Sequence, residues 1–261
     1  MTSKLAWRRW QGFLAFATCL ALGMDAPTPH AIKEEDATFK NKTKDVIVDV
    51  FAPEEPGKYP AVVIVHGHGG VGEGKQSGCH EQGRRLARAG YVALVPHYFG
   101  PLSPDSKNGR KNARSYNLWV RNVADTVSYA AKRTDVDPKR IGLVSFSLGS
   151  AVAISVAARD RRVLAVVENF GTLPEWESLN WSRLPPLLIL HGDKDEIVSL
   201  DEAYKLDKVL DNANVTHDMH IYEGAGHGFQ GEDQSDAYHR TLEFLDQYVN
   251  HVGNSRPARA H

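Results

Sequence analysis

Cysteine is scarce in this chain: Cys19 and Cys79 are the two among 261 residues. A disulfide framework is therefore excluded, and the fold must rest on a packed core. An excess of either charge is also missing, because 31 Lys and Arg face 32 Asp and Glu for a formal net charge of −1. Without a basic run there is no electrostatic footprint for a phosphate backbone, so nucleic acid is not an expected partner. The N-terminal apolar stretch Gly12 to Met24 falls short of the ~20 residues a helix needs to cross a bilayer, so no stable membrane span is expected. Internal repeats and a linker between halves are absent too, leaving one globular body.

Lys4, Arg8 and Arg9 precede that apolar stretch, and Ala21-Leu22-Gly23 offers small residues for cleavage. This is the pattern of an export signal over residues 1–24, which implies a periplasmic or secreted protein, with an N-terminal anchor as the alternative. Cleavage would remove three positive charges and no negative ones, moving the net charge from −1 to −4. A polar lead-in is expected over 25–44, a single domain over 45–252 and a frayed tail over 253–261.

Within the domain, β-rich apolar runs alternate with helix-like segments. Strands are expected near Val46–Phe51, Ala61–Val65, Tyr91–Pro96, Ile141–Ser145, Leu164–Glu168, Pro186–Leu190 and Met219–Tyr222. Helices are expected at Glu81–Arg88, Ser115–Arg133, Leu148–Ala158, Leu200–Leu210 and Asp236–Val249. Runs such as Val62-Val63-Ile64-Val65 lack polar alternation, as parallel strands buried on both faces do. The class is α/β with a mostly parallel sheet.

Ser145-Phe146-Ser147-Leu148-Gly149 joins a strand to a small-residue helix. A serine on so tight a turn needs small residues two before and two after it. Ser147 has Ser145 and Gly149 there, whereas Ser145 would have Leu143, so Ser147 is the candidate nucleophile. Serine needs a base to take its proton and a carboxylate to hold that base. The loop after Leu190 carries Asp193, Asp195 and Glu196, and the loop after Tyr222 carries His227, with His217 and His220 in or before the preceding strand. All three loops follow strands and can meet above one sheet edge. The backbone N–H of Leu148 would be one oxyanion donor. The loop His66-Gly67-His68-Gly69-Gly70 would give a second, from His68 or alternatively Gly69.

With these residues in hand the chain resembles the dienelactone hydrolase family of the α/β-hydrolase fold, from about Asp45 to Val249. The resemblance rests on His66-Gly67, Gly90 to Pro96, Ser147-Leu148-Gly149, Asn169-Phe170-Gly171, Gly192 with Asp195 and Val198, and Gly226-His227 with Phe229. It implies Ser147, Asp195 and His227 as nucleophile, acid and base. It also implies a central sheet with helices on both faces and chemistry on a small-molecule ester or lactone. The namesake enzymes have cysteine and a first-loop glutamate where this chain has Ser147 and Gly67, which points to a general carboxylesterase relative. A peptidase or amidase with the same triad, and a non-catalytic binding protein, are the alternatives. Neither metal nor cofactor is required.

The stretch from Gly171 to Pro186 is too short for a helical cap domain, so an open site is expected. Trp176, Trp181 and Phe229 are candidates for its apolar walls. Other patterns lead nowhere. Gly67 to Gly72 satisfies G-x-G-x-x-G, yet His97-Tyr98 stands where a ribose-binding acid belongs. Gln76 replaces the magnesium-binding hydroxyl of a phosphate loop. The histidines lack H-E-x-x-H or thiolate spacing for zinc, and Cys79 beside His80 does not face it on a helix. Lys107, Arg110, Lys111 and Arg114 read as a solvated loop.

Overall fold

The computed structural model of the protein describes residues 29–40, 45–72, 76–100, 112–175 and 178–250. The expected signal segment, the tail from 253, Trp176 and the basic residues Lys107, Arg110 and Lys111 lie outside the described residues. Eight strands form one sheet: β1 (Ile32–Lys40), β2 (Asp45–Pro53), β3 (Tyr59–Val65), β4 (Val92–Pro96), β5 (Val136–Phe146), β6 (Val163–Asn169), β7 (Leu187–Gly192) and β8 (His217–Tyr222). Their order is β1-β2-β4-β3-β5-β6-β7-β8. β2 is antiparallel to both neighbours, and every other adjacent pair is parallel. Among the described residues five α-helices pack with them: α1 (Gly78–Arg88), α2 (Ala113–Ala130), α3 (Leu148–Ala157), α4 (Leu200–Asn212) and α5 (Gly231–Leu245), the last following β8 and continuing into a π-turn over Asp246–Asn250.

The unbroken apolar runs are explained by cover on both faces. Along β3, Ala61, Val63 and Val65 join a core with Trp119 and Val123 of α2, Val152 of α3 and Leu206 of α4. Val62 and Ile64 point the other way, into a core with Leu86 of α1 and Phe244 and Leu245 of α5. Each such fully buried Val or Leu contributes roughly 1.5–3 kcal/mol, so the two layers hold the sheet without cross-links. Cys79 is a free, buried thiol, and burial pushes it up to about 12.

The expected polar lead-in is corrected in part: Ile32–Lys40 is an edge strand, paired antiparallel along its whole length with β2. Its charges disguise it, as charges on edge strands commonly do. They also fasten it to both helix layers, since Glu34 pairs with Arg84 of α1 at 2.7 Å and Glu35 with Arg133 beyond α2 at 2.6 Å. Between β6 and β7 the described residues form no helix beyond a single 3-10 turn, Trp181–Arg183, so the carboxyl ends of the strands stay uncapped there.

Candidate active site

Ser147 sits where β5 gives way to α3, with φ 52° and ψ −124°. A non-glycine residue in this region is strained and persists only when its surroundings hold it. Its N–H donates to Asn169 O at 2.9 Å, and its own carbonyl accepts Ser150 N–H at 2.9 Å. The demand for a small residue two places on is literal: a Cβ on Gly149 would lie 2.4 Å from the carbonyl oxygens of both Val65 and His66. That approach brings the loop after β3 against the turn, so that a Cβ on Gly67 would lie 3.2 Å from that of Ser147.

His227 arrives from the loop after β8. Its Nε2 lies 2.9 Å from Ser147 Oγ and its Nδ1 2.7 Å from Asp195 Oδ2. With Nδ1–H donating to the carboxylate, Nε2 is left to accept the Ser147 proton, the tautomer a base requires. The Asp195 side chain is fully covered. Burial would push its carboxyl up, but N–H donors from Val198 and Ile197 and the His227 ring outweigh this and hold it below the usual range. His191 braces the same loop, its Nε2 donating to Val198 O at 2.9 Å and lying 3.5 Å from Asp195 Oδ2.

The competing groups have other tasks. Asp193 accepts Gly224 N–H at 2.7 Å, and Glu196 is exposed. His217 Nε2 pairs with Asp207 at 3.1 Å, while His220 stands 3.9 Å from Asp236. Asp207, Asp211 and His217 offer ligand atoms close enough together for a metal ion, but none of them lines the cleft that contains Ser147. His66 is buried, stacked on Tyr98 with ring centroids 4.1 Å apart, and burial lowers its pKa to about 4. It is therefore an uncharged support.

Ser147 and His227 open onto a cleft of about 760 Å³. Leu148 and His68, expected to give oxyanion donors, both border it, as does Gly69. Leu148 opens α3, so its N–H is one of those without an intrahelical partner. Phe229 lines the cleft as expected, in edge contact with Phe170 at 5.3 Å. Trp181 does not: its turn packs against the core on the α2–α4 face, which takes the indole away from the cleft. Sequence reasoning passed over Phe146 and Phe170. Phe170 has φ 43° and its ring lies 4.9 Å from His227, but only its place in Asn169-Phe170-Gly171 hinted at importance.

A sequence profile described as the dienelactone hydrolase family matches residues 47–249. The chain belongs to the dienelactone hydrolase family. A Yersinia pestis protein named as a carboxymethylenebutenolidase is 26% identical over 246 residues, covering 84% of this chain and 90% of its own. A Klebsiella pneumoniae structure titled as a dienelactone hydrolase superposes with a TM-score of 0.71 at 23% identity, over 84% of this chain and all of that one. The Pyrococcus horikoshii acylaminoacyl peptidase superposes with a TM-score of 0.69 at 15% identity, over 92% of this chain but 45% of the peptidase. These likenesses agree with the mostly parallel sheet and place the chain in the α/β-hydrolase fold.

Proposed function

We propose that this dienelactone hydrolase family member hydrolyses carboxylic esters, lactones among them, through an acyl-enzyme on Ser147. The observation that carries the reading is the hydrogen-bonded line from Ser147 Oγ to His227 to Asp195, at 2.9 and 2.7 Å, opening into a cleft. Ser147 Oγ attacks the carbonyl carbon while its proton passes to His227 Nε2. The N–H groups of Leu148 and His68, or Gly69 in place of His68, stabilise the tetrahedral oxyanion. Asp195 stabilises the imidazolium, which then gives its proton to the leaving alcohol. Water, deprotonated by His227, attacks the acyl carbon and regenerates Ser147. A lactone follows the same steps, except that its alcohol stays tethered to the acyl group.

Labelling with a fluorophosphonate and mapping the adduct tests this. One adduct on Ser147, absent after Ser147→Ala, together with turnover of a simple aryl ester, is the expected result. A folded protein that neither labels nor turns over would overturn the reading in favour of non-catalytic ligand binding.

The likeness to a peptidase favours amide cleavage as a second reading. This chain corresponds to less than half of that enzyme, so a matched ester and anilide pair decides between them. The N-terminal charges and apolar stretch support export, which a signal-sequence fusion and fractionation would test.

A further inference from the structure

The cleft does not stop at Ser147 and His227. Gln234, Ala237, Tyr238 and Thr241 line it from α5, at the spacing i, i+3, i+4 and i+7 that places side chains on one helix face. Gly78, Cys79 and Gln82 line it from α1. The cleft therefore runs as a slot between two helices, about 10 Å along α5 at the usual helical rise. Tyr238 links the helices, its OH donating to Arg85 O at 3.0 Å.

The lining formed by the described residues is mainly apolar. Among the described residues, no Lys, Arg, Asp or Glu lines the cleft. Thr241 spends its hydroxyl on Ala237 O at 2.7 Å, and the buried Cys79 thiol stays protonated. Gln82 and the exposed Gln234 supply neutral polarity. A carboxylate or phosphate in the slot would lose water without meeting a cation among these residues, whereas a hydrocarbon loses nothing. The space also exceeds what a small acyl group fills, lying within the ~300–1,000 Å³ range of sites for drug-sized ligands.

Resting on the ester-hydrolysis reading, we propose that the slot between α1 and α5 is an acyl subsite, selecting esters with an uncharged, medium-length apolar acyl chain. The slot is continuous with Ser147, so it holds the acyl group while water attacks the covalent intermediate.

The test compares p-nitrophenyl acetate, hexanoate and hemisuccinate with the wild-type protein and with Gln234→Trp and Ala237→Phe. Gln234 is exposed, so its variant tests the slot even if the buried Ala237→Phe does not fold. The expected kcat/KM for hexanoate exceeds those for acetate and hemisuccinate by roughly tenfold or more, since each well-packed methylene contributes to discrimination. Each folded variant should lose most of that preference while acetate turnover changes by less than about threefold, because only the distant part of the acyl chain is displaced. Equal rates for acetate and hexanoate, a preference for hemisuccinate, or equal losses on acetate and hexanoate would overturn the proposal.

Calorimetry of the same esters on uncleaving Ser147→Ala protein separates the slot from the chemistry. If wild type shows no turnover but Ser147→Ala binds hexanoate tighter than acetate, and Gln234→Trp abolishes the difference, the slot stands while the hydrolytic reading fails. Equal binding of the two esters would remove the slot whatever the turnover.

Discussion

The carboxyl of Glu168 lies so close to Gly171 that a Cβ on the glycine would come within 2.2 Å of Oε2. That oxygen accepts Gly171 N–H at 2.8 Å, while Oε1 is buried without a partner. Ser150 also bonds to this carboxyl, and Ser145 Oγ donates to Ser150 Oγ at 3.2 Å. A polar cluster thus ties the turn at Ser147 to the Phe170 turn that contacts His227. Burial pushes Glu168 up to about 8, against the opposing pull of Gly171 N–H and Ser150.

Glu168→Gln should therefore change how stability depends on pH. A carboxyl whose folded value is raised contributes fully below its unfolded value, here 4.5, and the contribution is lost as pH rises to about 8. Wild type should lose a few kcal/mol across that window through this group, and the amide, which cannot ionise, should not. Urea midpoints at pH 5 and pH 8 check this: the variant should gain on wild type as pH rises. A parallel pH dependence would show that Glu168 does not ionise in this window.

Asp195→Asn should be worse for turnover than for folding. Oδ1 accepts N–H from Ile197 and Val198 at 2.9 and 2.8 Å, which an amide oxygen can also do. The amide nitrogen then faces His227 and forces its proton onto Nε2, where it cannot receive one from Ser147. The expected fall in kcat is on the order of 10³–10⁴, with little change in melting temperature. Asp193→Asn, whose amide oxygen can still accept Gly224 N–H, should retain activity within about tenfold.

Gly149→Ala should cost both stability and rate. The obstructing atoms are backbone carbonyls of Val65 and His66, which cannot rotate aside as a side chain would. Overpacking of this kind costs about 1–3 kcal/mol, and relief requires the loop after β3 to move away from Ser147. Gly69→Ala, where a Cβ meets nothing within 4 Å, is the control, with an expected change in stability of less than about 0.5 kcal/mol.

The contrast between these glycines shows what was legible in the sequence and what was not. Gly149 could be read because a serine between a strand and a helix imposes a local steric rule. The same rule picked Ser147 over Ser145. The buried strands were legible because Val62 to Val65 must be covered on both faces. β1 was not, since Glu34 and Glu35 look like solvent residues until Arg84 and Arg133 are placed opposite them. Nor could Trp181 be separated from Phe229, because an aromatic fits a core as well as a cleft. The stripe on α5 has ordinary amphipathic spacing, and only the position of α1 reveals that part of it faces a slot. Glu168 read as the end of a strand because Ser150 and Gly171 approach it through tertiary contact.

A last network lies outside the cleft and bears on acid stability. Asp49 of β2 accepts from His80 Nε2 of α1 and from His97 Nε2 after β4, both at 2.8 Å. His80 takes Ser77 N–H on its Nδ1 at 3.3 Å, which leaves its Nε2–H to face Asp49 in an almost fully buried site. Burial would push the Asp49 carboxyl up, but the two histidines lower it to about 2. A lowered carboxyl contributes above its unfolded value of 3.8, and that contribution is lost as pH falls towards 2. Asp49→Ala should cost about 1–3 kcal/mol at pH 7 by stranding the His80 donor. The gap to wild type should then narrow between pH 4 and pH 2, because wild type alone loses the carboxylate contribution there. Urea midpoints at pH 7, 4 and 2.5 provide the check. A constant gap would mean that Asp49 acts through packing and not through its charge.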